Sequence, residues 1–436
     1  MTRCLSYAYQ VCSVSITPKG CLFGVFSMST EGMRLRFLYL PGNAWVLAVS
    51  SAFWTVGGSI VNPYQSIFFE AIGTPLPFIG VLAALSSVVT AITYLVGGYI
   101  ADTWGRRKVI AVFSFVAAAN SFIYFFVKMW PELFIPVTVG AISGLYTPAF
   151  NATLNDSMKA DLRPRGFASF TILTTIPSVF SPYIGGLLMQ QFGDVEGLKI
   201  GFFVSGLLGV ASVTWRALRL KETFKPSRSD SLSLAQFVVG VIRHNASAYR
   251  QAGSNARKLI VYSALSSVAT GLSTLYVSIY VIKGLNLPPT YYGLLTGLSA
   301  LTTILLLLPA ASFVERFGLK RAAVLSALSS PLSMLVFVSA NGMNDLIAWS
   351  MTGGVSGALT SPTIQSLQGN VVPAELRGRL MAMFSVVPLL VSTPAQIASG
   401  VLFTYVSRLA PFIVSIPFYA VSVYILTTLR LDGSKN

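Results

Sequence analysis

Twelve apolar runs separated by short polar stretches organise this chain. Six begin near Ala44, Phe78, Val109, Leu133, Gly166 and Leu198, and a polar stretch follows from about Lys221 to Asn255. Six more begin near Leu259, Tyr292, Ala322, Leu346, Leu380 and Pro411. Each run can supply the ~20 residues of helix that cross a bilayer core. In hydrocarbon, only helices and closed barrels satisfy every backbone N–H and C=O. The pattern therefore predicts an all-α integral membrane protein with twelve transmembrane helices in two bundles of six. The expected boundaries are an N-terminal tail at 1–41, bundles at 42–217 and 254–430, a cytoplasmic linker at 218–253, and a C-terminal tail at 431–436.

Composition removes the water-soluble alternative. Only 10% of the 436 residues are charged and 54% are hydrophobic, whereas a soluble domain carries about a quarter charged residues. The formal net charge of +16 raises nucleic acid as a partner, but the basic residues are spread between apolar runs rather than gathered on one soluble face. With the N-terminus inside, 26 of the 30 Lys and Arg fall in inner loops and tails, and only Lys128, Lys199, Lys283 and Arg408 fall outside. That bias predicts a multi-pass plasma-membrane protein with both termini cytoplasmic and no nucleic-acid partner. Cys4, Cys12 and Cys21 fit no metal or redox spacing. They lie in a tail for which Met28 or Met33 is an alternative initiator.

The two halves repeat. Asn43-Ala44 recurs as Asn255-Ala256, Pro77 as Pro289, Arg165-Gly166 as Arg377-Gly378 and Pro182 as Pro394, all at an offset of 212. Six spans separate equivalent positions, so both copies run in the same direction and an axis along the membrane normal should relate them. Between them, Leu234, Phe237, Val238, Val241 and Ile242 share one face of a predicted amphipathic helix over 231–250. That linker also holds the single histidine, His244, read as a solvated residue.

The loop between the second and third runs carries Gly98, Asp102, Gly105, Arg106, Arg107 and Lys108 at the spacing Gly-x-x-x-Asp-x-x-Gly-Arg-Arg-Lys. A second copy offers Glu315, Arg316, Gly318, Lys320 and Arg321. This pattern resembles the loop signature of the major facilitator superfamily, with departures at Thr103, Ala311 and Leu319. The resemblance implies a latch that joins the bundles at the cytoplasmic side in the outward-open state. In it Asp102 would face the start of the eleventh span near Gly378, Glu315 the start of the fifth near Gly166, and Asp156 would partner Arg106 or Arg107. A carboxylate suits such a place because a helix N-terminus offers free N–H groups and a positive dipole end.

The fifth span carries Ser181, Pro182, Gly185 and Gly186, similar to an element of the drug–proton antiporters of that superfamily. It is expected to kink at Pro182, with Pro394 as its counterpart. No ionisable residue falls near the centre of a span, and the stretch Gly140 to Gly144 lacks the arginine that proton-coupled antiporters of the family often carry. Protons remain a candidate coupling ion through Asp102, Asp156 or Glu70. An uncharged cavity favours a neutral or hydrophobic solute, since a buried ion needs an opposite charge. Candidate lining residues are Trp54, Thr90, Tyr94, Tyr146, Asn151, Thr174, Ser273, Gln365 and Gln396. Asn151 and Gln365 lead, because an amide in hydrocarbon needs a partner.

These features imply a monomeric secondary transporter of a small solute, without cofactor or metal, working by alternating access in the bilayer, with export ahead of uptake. The alternatives are a sugar or metabolite importer and, further off, a lipid flippase or a lipid-modifying membrane enzyme. The enzyme reading lacks acid–base or metal-binding clusters, and no nucleotide-binding glycine loop is present.

Overall fold

The computed structural model describes residues 39–159, 162–223, 247, 249–373 and 376–430. The three cysteines, both alternative initiators, most of the linker helix and His244 lie outside these residues, as do the side chains of Asp102, Glu315 and Arg377. Among the described residues there is no strand.

Six long helices form the first half: α1 (Asn43–Ala71), α2 (Leu76–Trp104), α3 (Arg106–Phe126), α4 (Trp130–Asp156), α5 (Arg165–Phe192) and α6 (Asp194–Arg219). The second half has α7 (Ser254–Gly284), α8 (Pro289–Phe317), α9 (Leu319–Val338), α10 (Met343–Val371), α11 (Arg377–Val401) and α12 (Ala410–Thr427). Eleven of the twelve are long and apolar enough to cross a membrane. The exception is α10, which has the length, at 29 residues, but spends positions on small and polar side chains. Its Gly354 lies against Ser299 and Thr302 of α8, and the Gly354 carbonyl accepts a 3.1 Å bond from Thr303. Small residues let membrane helices approach closely, and the interhelical bond adds to the packing.

Glycines set the sharp turns. Gly105 and Gly318 each end one helix and start the next, with φ of +90° and +74°, a region that side-chain-bearing residues seldom adopt. The two signature loops thus share one local conformation. In α5 the interruption falls at Ile176, just before Pro177, whose ring and missing N–H end the preceding segment. Pro182 and Pro394, expected as kinks, lie inside unbroken helix.

The internal repeat is visible in packing. Phe68, Tyr124 and Phe202 form a three-ring cluster with centroids 4.6–6.3 Å apart, and Tyr280, Phe337 and Phe412 form another at 4.9–5.7 Å. The sequence offsets between them are 212, 213 and 210. At the end where each bundle begins and finishes, one asparagine closes the circuit. Asn43 donates to and accepts from the Lys221 backbone at 2.9 Å, and Asn255 does the same with Arg430 at 2.7 and 3.1 Å. We call this end the terminal side and the opposite end the far side. The belt between them exposes large apolar groups such as Phe115, Phe180 and Leu305, which a lipid-facing surface accommodates and water would not.

Candidate functional site

The bundles meet along two antiparallel helix pairs, α2 with α11 and α5 with α8, and they meet most closely in the far half. A methyl at Gly186 of α5 would stand 2.6 Å from both the Pro289 carbonyl oxygen and the Thr290 Cα of α8. One at Gly293 would stand 2.6 Å from the Pro182 carbonyl oxygen. On α2, a methyl at Gly80 would collide with the Gln396 carbonyl, whereas one at Gly98, five turns nearer the terminal side, would meet nothing within 4 Å. The helices therefore touch backbone to backbone at one end of the seam and part toward the other.

Two tyrosines fasten the close end. The Tyr64 hydroxyl of α1 donates to the Pro182 carbonyl within its own bundle at 2.7 Å and to the Pro289 carbonyl of the second bundle at 3.0 Å. Tyr276 of α7 reaches the other way and donates to the Leu76 carbonyl at 2.7 Å. Both tyrosines are fully buried and 212 residues apart. Ser87 and Gln396 exchange bonds of 3.0–3.1 Å across the same seam, and Thr290 reaches Gln190 at 3.3 Å. An ion pair adds to them: Lys283 of α7 lies 3.3 Å from Glu70 of α1 and 3.8 Å from Asp194 of α6. Sequence reasoning had placed Lys283 in an outer loop without a partner.

Each bundle holds a cavity with polar groups in its wall. The first, about 460 Å³, lies in the far half of α1, α2, α3, α4 and α6, and Leu275 and Gln396 of the second bundle complete its wall. The other, about 730 Å³, runs between α7, α9, α10, α11 and α12. Trp54 and Gln396 line the first; Ser273 and Gln365 line the second. The remaining candidates line neither of these two cavities. Tyr94 stands beside Gly144, and the Thr174 hydroxyl is spent on the Phe170 carbonyl at 2.9 Å. Thr90 is half-buried on α2, and Asn151 is exposed. A further amide on the first cavity is that of Asn120 of α3, unremarked in the sequence although it interrupts an apolar run.

Tyr146 has another role. Its ring and that of Phe150 flank the Arg216 guanidinium, at 5.8 and 5.3 Å from centroid to Cζ. Arg216 is 2% exposed and donates to Ser50 and Ser114 at 2.8 Å and to Ser51 at 3.3 Å. No carboxylate lies within ion-pair distance among the described residues. The sequence reading counted Arg216 as an inner-loop cation, yet the helix carries it inside the bundle. A buried guanidinium persists here because serine dipoles and ring faces replace water on three sides.

At the terminal side, Arg106 pairs with Asp156. Arg107 donates to the Ala217 carbonyl at 2.8 Å and through its backbone N–H to Glu222 at 3.1 Å. Gly166 is buried against Met158, and Arg321 is exposed. The facing partners expected of Asp102 and Glu315 involve side chains outside the described residues. Among the described residues, no group of three His, Cys, Asp or Glu could hold a metal.

Two helical bundles of one repeated design, meeting along a seam fastened at one end, define a membrane transporter. The profile of the Major Facilitator Superfamily matches residues 47–282 and 259–435, and the chain belongs to that family. An uncharacterized MFS-type transporter, YqjV of Bacillus subtilis (strain 168), is 22% identical over 327 residues, which cover 70% of this chain and 72% of that one. A Na(+), Li(+), K(+)/H(+) antiporter of Planococcus maritimus is 31% identical over 170 residues, covering 37% of this chain and only 38% of that relative. Among solved structures, the nucleoside transporter NupG superposes with a TM-score of 0.67 at 15% identity over 88% of this chain and 97% of its own, a likeness of fold.

Proposed function

We propose that the protein is a monomeric plasma-membrane exporter that carries a small uncharged solute by alternating access in exchange for protons, with both termini cytoplasmic. The observation that carries this reading is the far-side seal, built from pseudo-symmetric tyrosines and one interbundle ion pair. A seal of a few reversible bonds between two rigid bundles can open as a unit. The preponderance of Lys and Arg at the terminal side supports a cytoplasmic placement of that end, so the form described here would be closed to the exterior. In the opposite form, Gly98, Asp102, Gly105 and Arg106, with Glu315, Gly318 and Arg321, would make the cytoplasmic latch.

Glu70 is the carboxylate best placed to couple protons. The buried oxygen that it turns to Lys283 at 3.3 Å makes no hydrogen bond, and Lys283 belongs to the other bundle. Protonation would weaken the far-side ion pair, leaving Lys283 with Asp194 alone. Asp156, already engaged within its own bundle by Arg106, has no such leverage. A relative named as a cation/H(+) antiporter and the Pro182 to Gly186 element support proton exchange and export.

The test is transport of a solute panel in proteoliposomes with and without an imposed pH gradient. Wild-type protein should move a substrate faster when protons can flow inward, and Glu70→Gln should retain exchange while losing the response to the gradient. A gradient response that survives Glu70→Gln would remove Glu70 from coupling, and transport indifferent to pH in the wild type would remove proton exchange altogether.

A further inference from the structure

We infer that the cavity within the first bundle is a binding site for a neutral, ring-sized solute bearing several hydroxyl or amide groups, rather than for an apolar or cationic one. This deepens the transport reading above, on which its role in a transport cycle rests. Asn120 carries the argument: it is 8% exposed, its amide oxygen is buried without any hydrogen bond, and it lines the cavity. At hydrocarbon depth an amide left unpaired is strongly unfavourable. Its side chain stands in the wall of a cavity of about 460 Å³, within the range of small-molecule sites, and a turn of the amide toward that space would let a partner from outside the protein take up its oxygen.

The surroundings extend the same chemistry. Asn62 and the hydroxyls of Ser86, Ser121 and Ser205 face this space and bond to no described residue. Serines elsewhere, such as Ser157 at 2.6 Å, turn back onto their own helix carbonyls. Gln65 is held in place by a 3.1 Å bond to Tyr124. Trp54 and Phe202 supply flat apolar walls, suited to one face of a ring. No charged side chain lines the cavity among the described residues. An organic cation would have no counter-charge there, and a bare metal cation would fill a small part of the volume and lack the carboxylates it prefers. An apolar solute would leave every one of these polar groups unpaired.

Access is built into the seam. Gln396, which belongs to the second bundle, forms part of the wall and is bonded to Ser87 of the first. Separation of the far ends would withdraw that wall and open the cavity.

The experiment is thermal unfolding of the whole protein in lipid nanodiscs, with glucose, myo-inositol and uridine as neutral polar probes. Toluene, tetraphenylphosphonium and sodium against choline serve as the comparison set. At least one polar probe should raise Tm by a few degrees, and Asn120→Leu should abolish that shift. Asn120→Leu without ligand should unfold at or above the wild-type temperature, because it removes an unpaired buried amide; a merely structural asparagine would instead lower it. Asn62→Ala, at a position open to the cavity, serves as a second variant should Asn120→Leu not fold, and should weaken the shift. Stabilisation by the comparison set only, by nothing, or equally in both variants would overturn the inference. Because binding is measured without transport, such a failure stays distinct from a failure of the proteoliposome assay.

Discussion

At the residue scale, Arg216 best shows how environment overrides sequence position. A cation near a helix end is ordinarily solvated, but here three serines and two rings hold it inside the first bundle. Replacing a buried charge by an apolar side chain of similar length can be nearly neutral, whereas truncation leaves both a cavity and unpaired hydroxyls. Arg216→Met should therefore unfold within about 1 kcal/mol of the wild type, since Ser50 already donates to the Leu47 carbonyl and needs no new partner. Arg216→Ala should lose about 2–4 kcal/mol. Unfolding curves in nanodiscs decide this, and an alanine variant as stable as the methionine one would contradict the account. The charge of Arg216 was legible in the sequence and its burial was not, because the last turns of α6 carry Arg216 inward and leave Arg219 exposed. Asn120 was passed over for the opposite reason, being one polar residue in an apolar run.

At the scale of elements, the seam rests on close approach of backbones, and glycine positions differ according to which end they occupy. Gly186→Ala would drive a methyl against α8 backbone atoms that cannot rotate away, an overpacking worth about 1–3 kcal/mol against the far-sealed form. Gly98→Ala meets open space in this form and should leave it undisturbed. Reaction of a cysteine placed at Ile79, buried behind the far-side seal, with a membrane-impermeant maleimide would report the difference. Labelling should quicken in the Gly186→Ala background and stay unchanged with Gly98→Ala, and equal rates would deny that the seal depends on this contact. The helices themselves were readable from apolar run length, since hydrocarbon leaves few other backbone solutions. Periodicity does not reveal which of the two prolines interrupts α5: the helix assignment breaks before Pro177 and runs on through Pro182.

For the whole molecule, the repeat was the most informative sequence feature. The offset of 212 that relates Pro77 to Pro289 also relates Tyr64 to Tyr276, so the two halves of the seal were present in the pattern, hidden only because tyrosine in a span suggests an interface as readily as a lock. Cavity membership was harder to read. Helix faces are fixed by the mutual rotation of twelve neighbours, and of the nine lining candidates Trp54, Gln396, Ser273 and Gln365 line the two cavities described. The central claim is that the two bundles rock about this seam as rigid bodies, and the tyrosine hydroxyl bonds offer a way to bias that motion. Each is worth about 1 kcal/mol net, so removing the two that cross between bundles, Tyr64 to Pro289 and Tyr276 to Leu76, by Tyr64→Phe with Tyr276→Phe should shift a two-state balance by roughly thirtyfold if they exist only in the far-sealed form. The most direct measurement is a pair of spin-label distances in protein freed of Cys4, Cys12 and Cys21, from Lys128→Cys to Arg408→Cys at the far side and from Lys159→Cys to Arg321→Cys at the terminal side. In the double phenylalanine variant the first distance should lengthen as the second shortens; two distances that stay fixed, or that lengthen together, would contradict alternating access in this protein.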